Sequence, residues 1–102
     1  MGKKRLFDPG QTVAAFNGQV GMVMNQDMYD RAQKTLREGG KAGRYFAPGC
    51  CRHPDYITQV PVLFEDGSYD VMRSMNIKKK PDIPEKIRLA IQDVIRKNNL
   101  AE

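Results

Sequence analysis

Two Xaa-Gly pairs, Asn17-Gly18 and Asp66-Gly67, each stand between runs of alternating side chains. They constrain the fold more than any other feature, because a glycine at a tight turn supplies the positive φ that reverses a strand. The first pair joins Gln11 to Phe16 with Gln19 to Met24 and predicts a hairpin with a two-residue type I′ turn. In its second strand Val20, Met22 and Met24 share one face, and Gly21 on the other marks a bulge or a close approach of backbone. The second pair follows Val60, Val62 and Phe64 and leads into Tyr69, Val71, Arg73, Met75 and Ile77, a second hairpin with its last strand running to Ile77. Pro61 has no N–H for a ladder, so its strand is expected at an edge or bulged.

Between and after the hairpins the period changes from 2 to 3.6. Met28, Ala32 and Leu36, flanked by Tyr29 and Thr35, form a helical stripe ending at Gly39-Gly40, with Asp27 as expected N-cap. Asp82-Ile83-Pro84-Glu85 resembles a capping box with Asp82 at N-cap, and Ile87, Ala90, Ile91, Val94 and Ile95 behind it line one face of a second helix. The order is ββ, α, loop, ββ, α. The fold class is α+β: a small bent antiparallel sheet or SH3-like barrel with an inserted helix over 27–38, a loop over 39–55, a sheet region over 11–77 and a C-terminal amphipathic helix over 82–98. All of this fits one domain, the size that 102 residues allow, with 1–10 a basic and partly flexible start.

The run Phe7-Asp8-Pro9-Gly10-Gln11-Thr12-Val13, continued by Asn17-Gly18-Gln19-Val20-Gly21-Met22-Val23, resembles the opening hairpin of small SH3-like barrels of the KOW and Tudor type. Val62 to Val71, through Phe64-Glu65-Asp66-Gly67, resembles their later hairpin. The resemblance implies a module that binds nucleic acid or peptide, and it carries over no catalytic residue. Such barrels have five strands where four are clear here, which makes Arg44 to Ala47 the candidate for the fifth.

Lys and Arg number 17 against 12 Asp and Glu, a net charge of +5. Arg31, Lys34, Arg37, Lys41 and Arg44 cluster on and after the first helix, and Lys78, Lys79 and Lys80 precede the second, with Lys3, Lys4 and Arg5 at the start. Clustered cations bind phosphates by releasing counterions, and Tyr45, Phe46 and Tyr56 are candidate base-stacking rings. The expected function is a small basic binding module associated with nucleic acid. The alternative is a protein adaptor, a subunit of a larger assembly or a homodimer, docking through an edge strand near Pro61 or through Ile87, Ile91, Val94 and Ile95.

The methionines of the strands and first helix are expected in the core, with an exposed partner-binding strip as the alternative. Cys50, Cys51 and His53 hold every thiol and the lone imidazole of the chain. Adjacent cysteines seldom reach one zinc ion together, and they close no loop as a structural disulfide would. No catalytic residue, metal site or small-molecule cofactor is therefore assigned. Met1-Gly2-Lys3-Lys4-Arg5 is followed by Asp8-Pro9-Gly10 rather than by an apolar run, and no stretch is apolar enough to span a bilayer, so a cytoplasmic location without membrane contact is expected.

Overall fold

Both glycine turns close hairpins, and both use the same loop. Gly18 holds φ at +90° and Gly67 at +89°. In the first loop the Gly18 N–H donates to the Ala15 carbonyl at 2.9 Å and the Ala15 N–H to the Gln19 carbonyl at 2.8 Å. This is a longer connection than the two-residue turn expected at Asn17-Gly18, with glycine in the left-handed position that ends a three-residue loop. In the second, the Gly67 N–H donates to the Phe64 carbonyl at 3.1 Å, and the Asp66 carboxylate accepts from the Ser68 N–H at 3.0 Å and hydroxyl at 2.6 Å.

The structure, a computed structural model, describes residues 7–16, 18–38 and 56–100. Its elements are β1 (Thr12–Ala15), β2 (Val20–Val23), α1 (Gln26–Thr35), β3 (Arg37–Glu38), β4 (Gln59–Phe64), β5 (Ser68–Arg73), a 3-10 turn (Ser74–Asn76), β6 (Ile77–Lys79) and α2 (Glu85–Lys97). Five strands in the order β5-β4-β2-β1-β6 form a curled antiparallel sheet, a half-barrel. The two-residue β3 adds a short parallel pairing to β5 at one end. With its two helices the fold is a small α+β one. No helix among the described residues is long and apolar enough to cross a membrane.

Several boundaries differ from expectation for local reasons. Asn25, not Asp27, caps α1: its side chain accepts the Met28 N–H at 2.8 Å, the reach of an N-cap to its third residue. The helix stops at Thr35 rather than at Gly39-Gly40, because Leu36 turns extended and Arg37 and Glu38 pair with Ser68 and Tyr69. Helix α2 starts only at Glu85, since Pro84 is extended at ψ 146°, and Asp82 is not its cap. It ends in a Schellman motif: Asn99 is left-handed at φ 53°, and the Leu100 N–H reaches the Ile95 carbonyl at 3.0 Å. The long strand expected from Tyr69 to Ile77 breaks at the 3-10 turn, which sends Ile77–Lys79 to pair with β1. That segment is the fifth strand of the half-barrel; Arg44 to Ala47 lie outside the described residues.

Alternation along the strands builds two cores. Val13, Ala15, Val23, Val60, Val62, Phe64, Met72 and Ile77, with Phe7 and Tyr56, fill the concave side. Met24, Leu63, Tyr69 and Val71 on the convex side meet Met28, Tyr29 and Ala32 of α1 and Ile91 of α2, sealed by Leu100. The Tyr29 and Tyr69 rings meet edge to face at 6.0 Å between centroids. Met24, Met28 and Met72 are thus core residues as expected, whereas Met75 is 74% exposed.

Pro61 does not mark an edge: β4 lies between β5 and β2 and is buried on both faces. The Met24 N–H donates to the Pro61 carbonyl at 2.9 Å, and an ordinary residue at 61 would return an N–H to the Met24 carbonyl. The Tyr56 hydroxyl supplies that missing donor, bonding the Met24 carbonyl at 2.6 Å. Tyr56→Phe should therefore cost about 1–3 kcal/mol, the penalty for a buried acceptor left unpaired. In a Pro61→Val background the restored N–H should cut that cost to below about 1 kcal/mol. Equal costs in the two backgrounds, measured by urea denaturation, would show that Tyr56 does not stand in for the proline.

Candidate functional site

The helices cover the convex faces of β2, β4 and β5, but no residue of β1 or β6 belongs to that outer core. On β1 the inward Val13 and Ala15 alternate with Thr12, Ala14 and then Phe16 on the convex side. Ala14 is paired with Lys78, which places that lysine on the same side. Lys80 lies beside Thr12: its N–H donates to the Thr12 carbonyl at 2.9 Å, and the Thr12 hydroxyl donates to the Lys80 carbonyl at 2.5 Å. At the other end the Phe16 N–H donates to the Asn76 carbonyl at 2.9 Å. From Thr12 to Phe16 the strip is about 13 Å long at the rise of a β-strand.

Each end of the strip opens into a hollow. Around Phe16, a concavity of about 250 Å³ is lined by Ala14, Ala15, Met75, Asn76 and Lys78. Phe16 is 56% exposed there, beside the still more exposed Met75. At the Thr12 end, a cleft of about 140 Å³ runs under α2 between Met22, Ile83, Ile91, Arg88 and Gln92. A separate open hollow adjoins it, sharing Gly10, Thr12 and Arg88 and lined also by Asp8, Lys79 and Pro81.

Lys78, Lys80 and Arg88 are exposed and form no ion pair among the described residues. Lys34, Lys79 and Lys86 are likewise exposed and without an ion pair among the described residues, while some other cations are engaged within the fold. Arg96 and Lys97 pair with Asp93 at 2.7 and 3.0 Å, and the Lys97 and Arg96 hydrogen bonds hold that carboxyl below its ordinary pKa. Burial pushes the Asp66 carboxyl up, but its hydrogen bonds from Ser68 and the Arg37 charge outweigh that and lower it. Arg31 donates to the Asn99 carbonyl at 3.0 Å and so ties α1 to the end of α2.

The expected basic residues lie on different elements. Lys78 and Lys80 share the strip, while Lys79, opposite Val13, belongs to the concave face and is exposed at the rim. Arg31, Lys34 and Arg37 sit on α1 and β3, and β3 and β6 occupy opposite ends of the strand order. Lys41, Arg44, Tyr45 and Phe46 lie outside the described residues, as do Cys50, Cys51 and His53. Tyr56 is no stacking platform: it is 5% exposed and its hydroxyl is bonded to the backbone.

The alternative docking face is occupied by the chain itself. Ile91 is 2% exposed in the outer core, and Ile87, Val94 and Ile95 pack half-buried around it. Among the described residues no group of three His, Cys, Asp or Glu is placed to hold a metal ion.

No charge cluster or motif marks Phe16, Arg88 or Gln92, whereas Met75 is one of the methionines for which an exposed strip is the alternative. For Phe16 a signal existed: it has the parity of Thr12 and Ala14, the small and polar side of its strand. Compared with protein-family models, with curated proteins and with solved structures, the chain matches none.

Proposed function

We propose that the chain is a small, basic, non-catalytic binding module of SH3-like build that holds a single-stranded nucleic acid along the convex side of β1 and β6. A curled five-strand antiparallel sheet is compatible with the KOW and Tudor barrels that the two hairpins resemble. The observation that carries the proposal is the exposed Phe16 ring on the same strand side as Lys78 and Lys80, which form no ion pair among the described residues. Bases stack on such a ring at about 1–3 kcal/mol each, and cations beside it track the phosphates without regard to sequence. A duplex hides its base faces, so the ring favours a single strand.

The test is an amide NMR titration with short single- and double-stranded oligonucleotides at low and moderate salt. Shifts are expected at Thr12 to Phe16 and Asn76 to Lys80, fading as salt rises, with the single strand bound more tightly. Phe16→Ala, at an exposed position, should weaken single-strand binding about tenfold, the worth of one stacked base. A spectrum silent at low salt would remove nucleic acid and leave a protein partner for this strip, and shifts confined to Arg31, Lys34 and Arg37 would move the site to α1.

A further inference from the structure

We infer that Arg88 of α2 is a third phosphate contact at the Thr12 end of the strip, so that the ligand it fits is a single strand of about four nucleotides. This rests on the proposal that a strand lies along β1 and β6, and it adds where that strand ends and what sets its length.

The spacing of the cations gives the length. Lys78 and Lys80 lie on one side of the chain two residues apart, about 6.6 Å at the rise of a β-strand. Neighbouring phosphates of an extended single strand have a similar separation, so each lysine meets its own phosphate. Phe16 lies a further step of two residues back, opposite Asn76. A nucleotide stacked on the ring thus leads its chain onto Lys78 and then onto Lys80. Lys78 is the one cation among the described residues that line the hollow at Phe16, and the row begins there.

At the other end the row passes from the sheet to a helix. Arg88 lines the cleft under α2 together with Thr12, whose hydroxyl bonds the Lys80 carbonyl. It also lines the adjoining hollow with Gly10, Thr12 and Pro81, so it stands where β1 and the chain leaving β6 meet α2. Lys86, two residues earlier on the same helix, lines a different hollow with Leu89 and Asp93 and with no residue of β1 or β6. The hollow beside Arg88 also holds the Asp8 carboxylate, which repels a further phosphate, and the Lys79 that lines it belongs to the concave face. The row closes with Lys78, Lys80 and Arg88, whose phosphates are those that link about four nucleosides.

Oligothymidylates of increasing length, from the dinucleotide to the octanucleotide and without terminal phosphates, test the third contact. All should shift the Phe16 and Lys78 amides, whereas the Arg88 side-chain N–H resonance should shift only from the tetranucleotide upward. The tetranucleotide should bind about fivefold more tightly than the trinucleotide, the upper worth of an exposed ion pair. Longer strands should gain only through the number of equivalent registers. Arg88→Ala, an exposed helical position where alanine is favourable, should abolish that step and make the slope of log K against log salt for the octanucleotide shallower by about 0.7. Lys86→Ala removes the same charge from the same helix and should leave step and slope unchanged. A tetranucleotide that leaves the Arg88 resonance in place, a step that survives Arg88→Ala, or one equally lost in Lys86→Ala would overturn the third contact and leave the strip. If no oligonucleotide moves any resonance at low salt, the strip itself fails and Arg88 with it.

Discussion

Gly21→Ala is expected to destabilise the protein by about 3 kcal/mol or more, at the top of the range for overpacking a core. Gly21 faces Phe64 across the β2–β4 ladder. A Cβ placed on it would lie 2.5 Å from the Leu63 carbonyl oxygen and 2.6 Å from the Val62 Cγ1. The valine methyl can turn away, but the carbonyl belongs to the backbone of an interior strand and cannot. Relief requires β2 to move off β4, and β1 and β6 hang on β2 in the strand order. For a domain of this size the loss corresponds to a fall of roughly 15 °C in melting temperature. Thermal and urea denaturation measure it directly, and a variant melting within a few degrees of the parent would show that the strands are not in this close contact.

Lys78→Glu combined with Lys80→Glu should reduce affinity for a single-stranded oligonucleotide about a hundredfold at low salt. Two phosphate contacts are lost and two repulsions added. The slope of log K against log salt should become shallower by about 1.4, since each phosphate contact on a single strand contributes about 0.7. Both lysines are exposed, so the fold should be unaffected. Lys34→Glu on α1 is the control: it changes the net charge but lies away from the strip, and it should leave the slope as it was. Titrations at four or five salt concentrations separate the outcomes. A slope that responds to Lys34→Glu and not to the pair on the β6 side would place the phosphate contacts on the first helix.

What could be read from the residues was local. Gly18 and Gly67 announced their hairpins because a positive φ is a property of one residue, and the stripe from Ile87 to Ile95 announced α2 because its period repeats within a few turns. What could not be read depended on partners far along the chain. Pro61 reads as an edge residue, yet β4 is interior, and the Tyr56 hydroxyl reaches the Met24 carbonyl that the proline leaves without a donor. The 3-10 turn at Ser74–Asn76 interrupts an alternation that continues on either side, so the pattern alone joined β5 to β6. The same limit governed the site. The run Lys78-Lys79-Lys80 was visible as charge, but its division between two faces of the sheet follows from the pairing of Val13 with Lys79. Tyr56 reads as a stacking ring only because its burial is invisible in sequence. Arg88 and Gln92 were simply the polar side of an amphipathic helix until β1 lay beside them.

The two sides of the strip come from distant parts of the chain: Thr12 and Lys80 are 68 positions apart. The hairpins, by contrast, close over loops of a few residues. Loop-closure entropy delays contacts between remote segments, so the pairing of β6 with β1 belongs late in folding, after both hairpins can stand. An incompletely folded chain then possesses turns, helices and much of its cores while lacking the surface proposed to hold a strand. A ligand that spans β1 and β6 binds only the closed sheet, and its binding free energy adds to the stability of that closure. Occupancy and completion of the fold are in this way a single equilibrium, with the three-residue β6 as the latch between them.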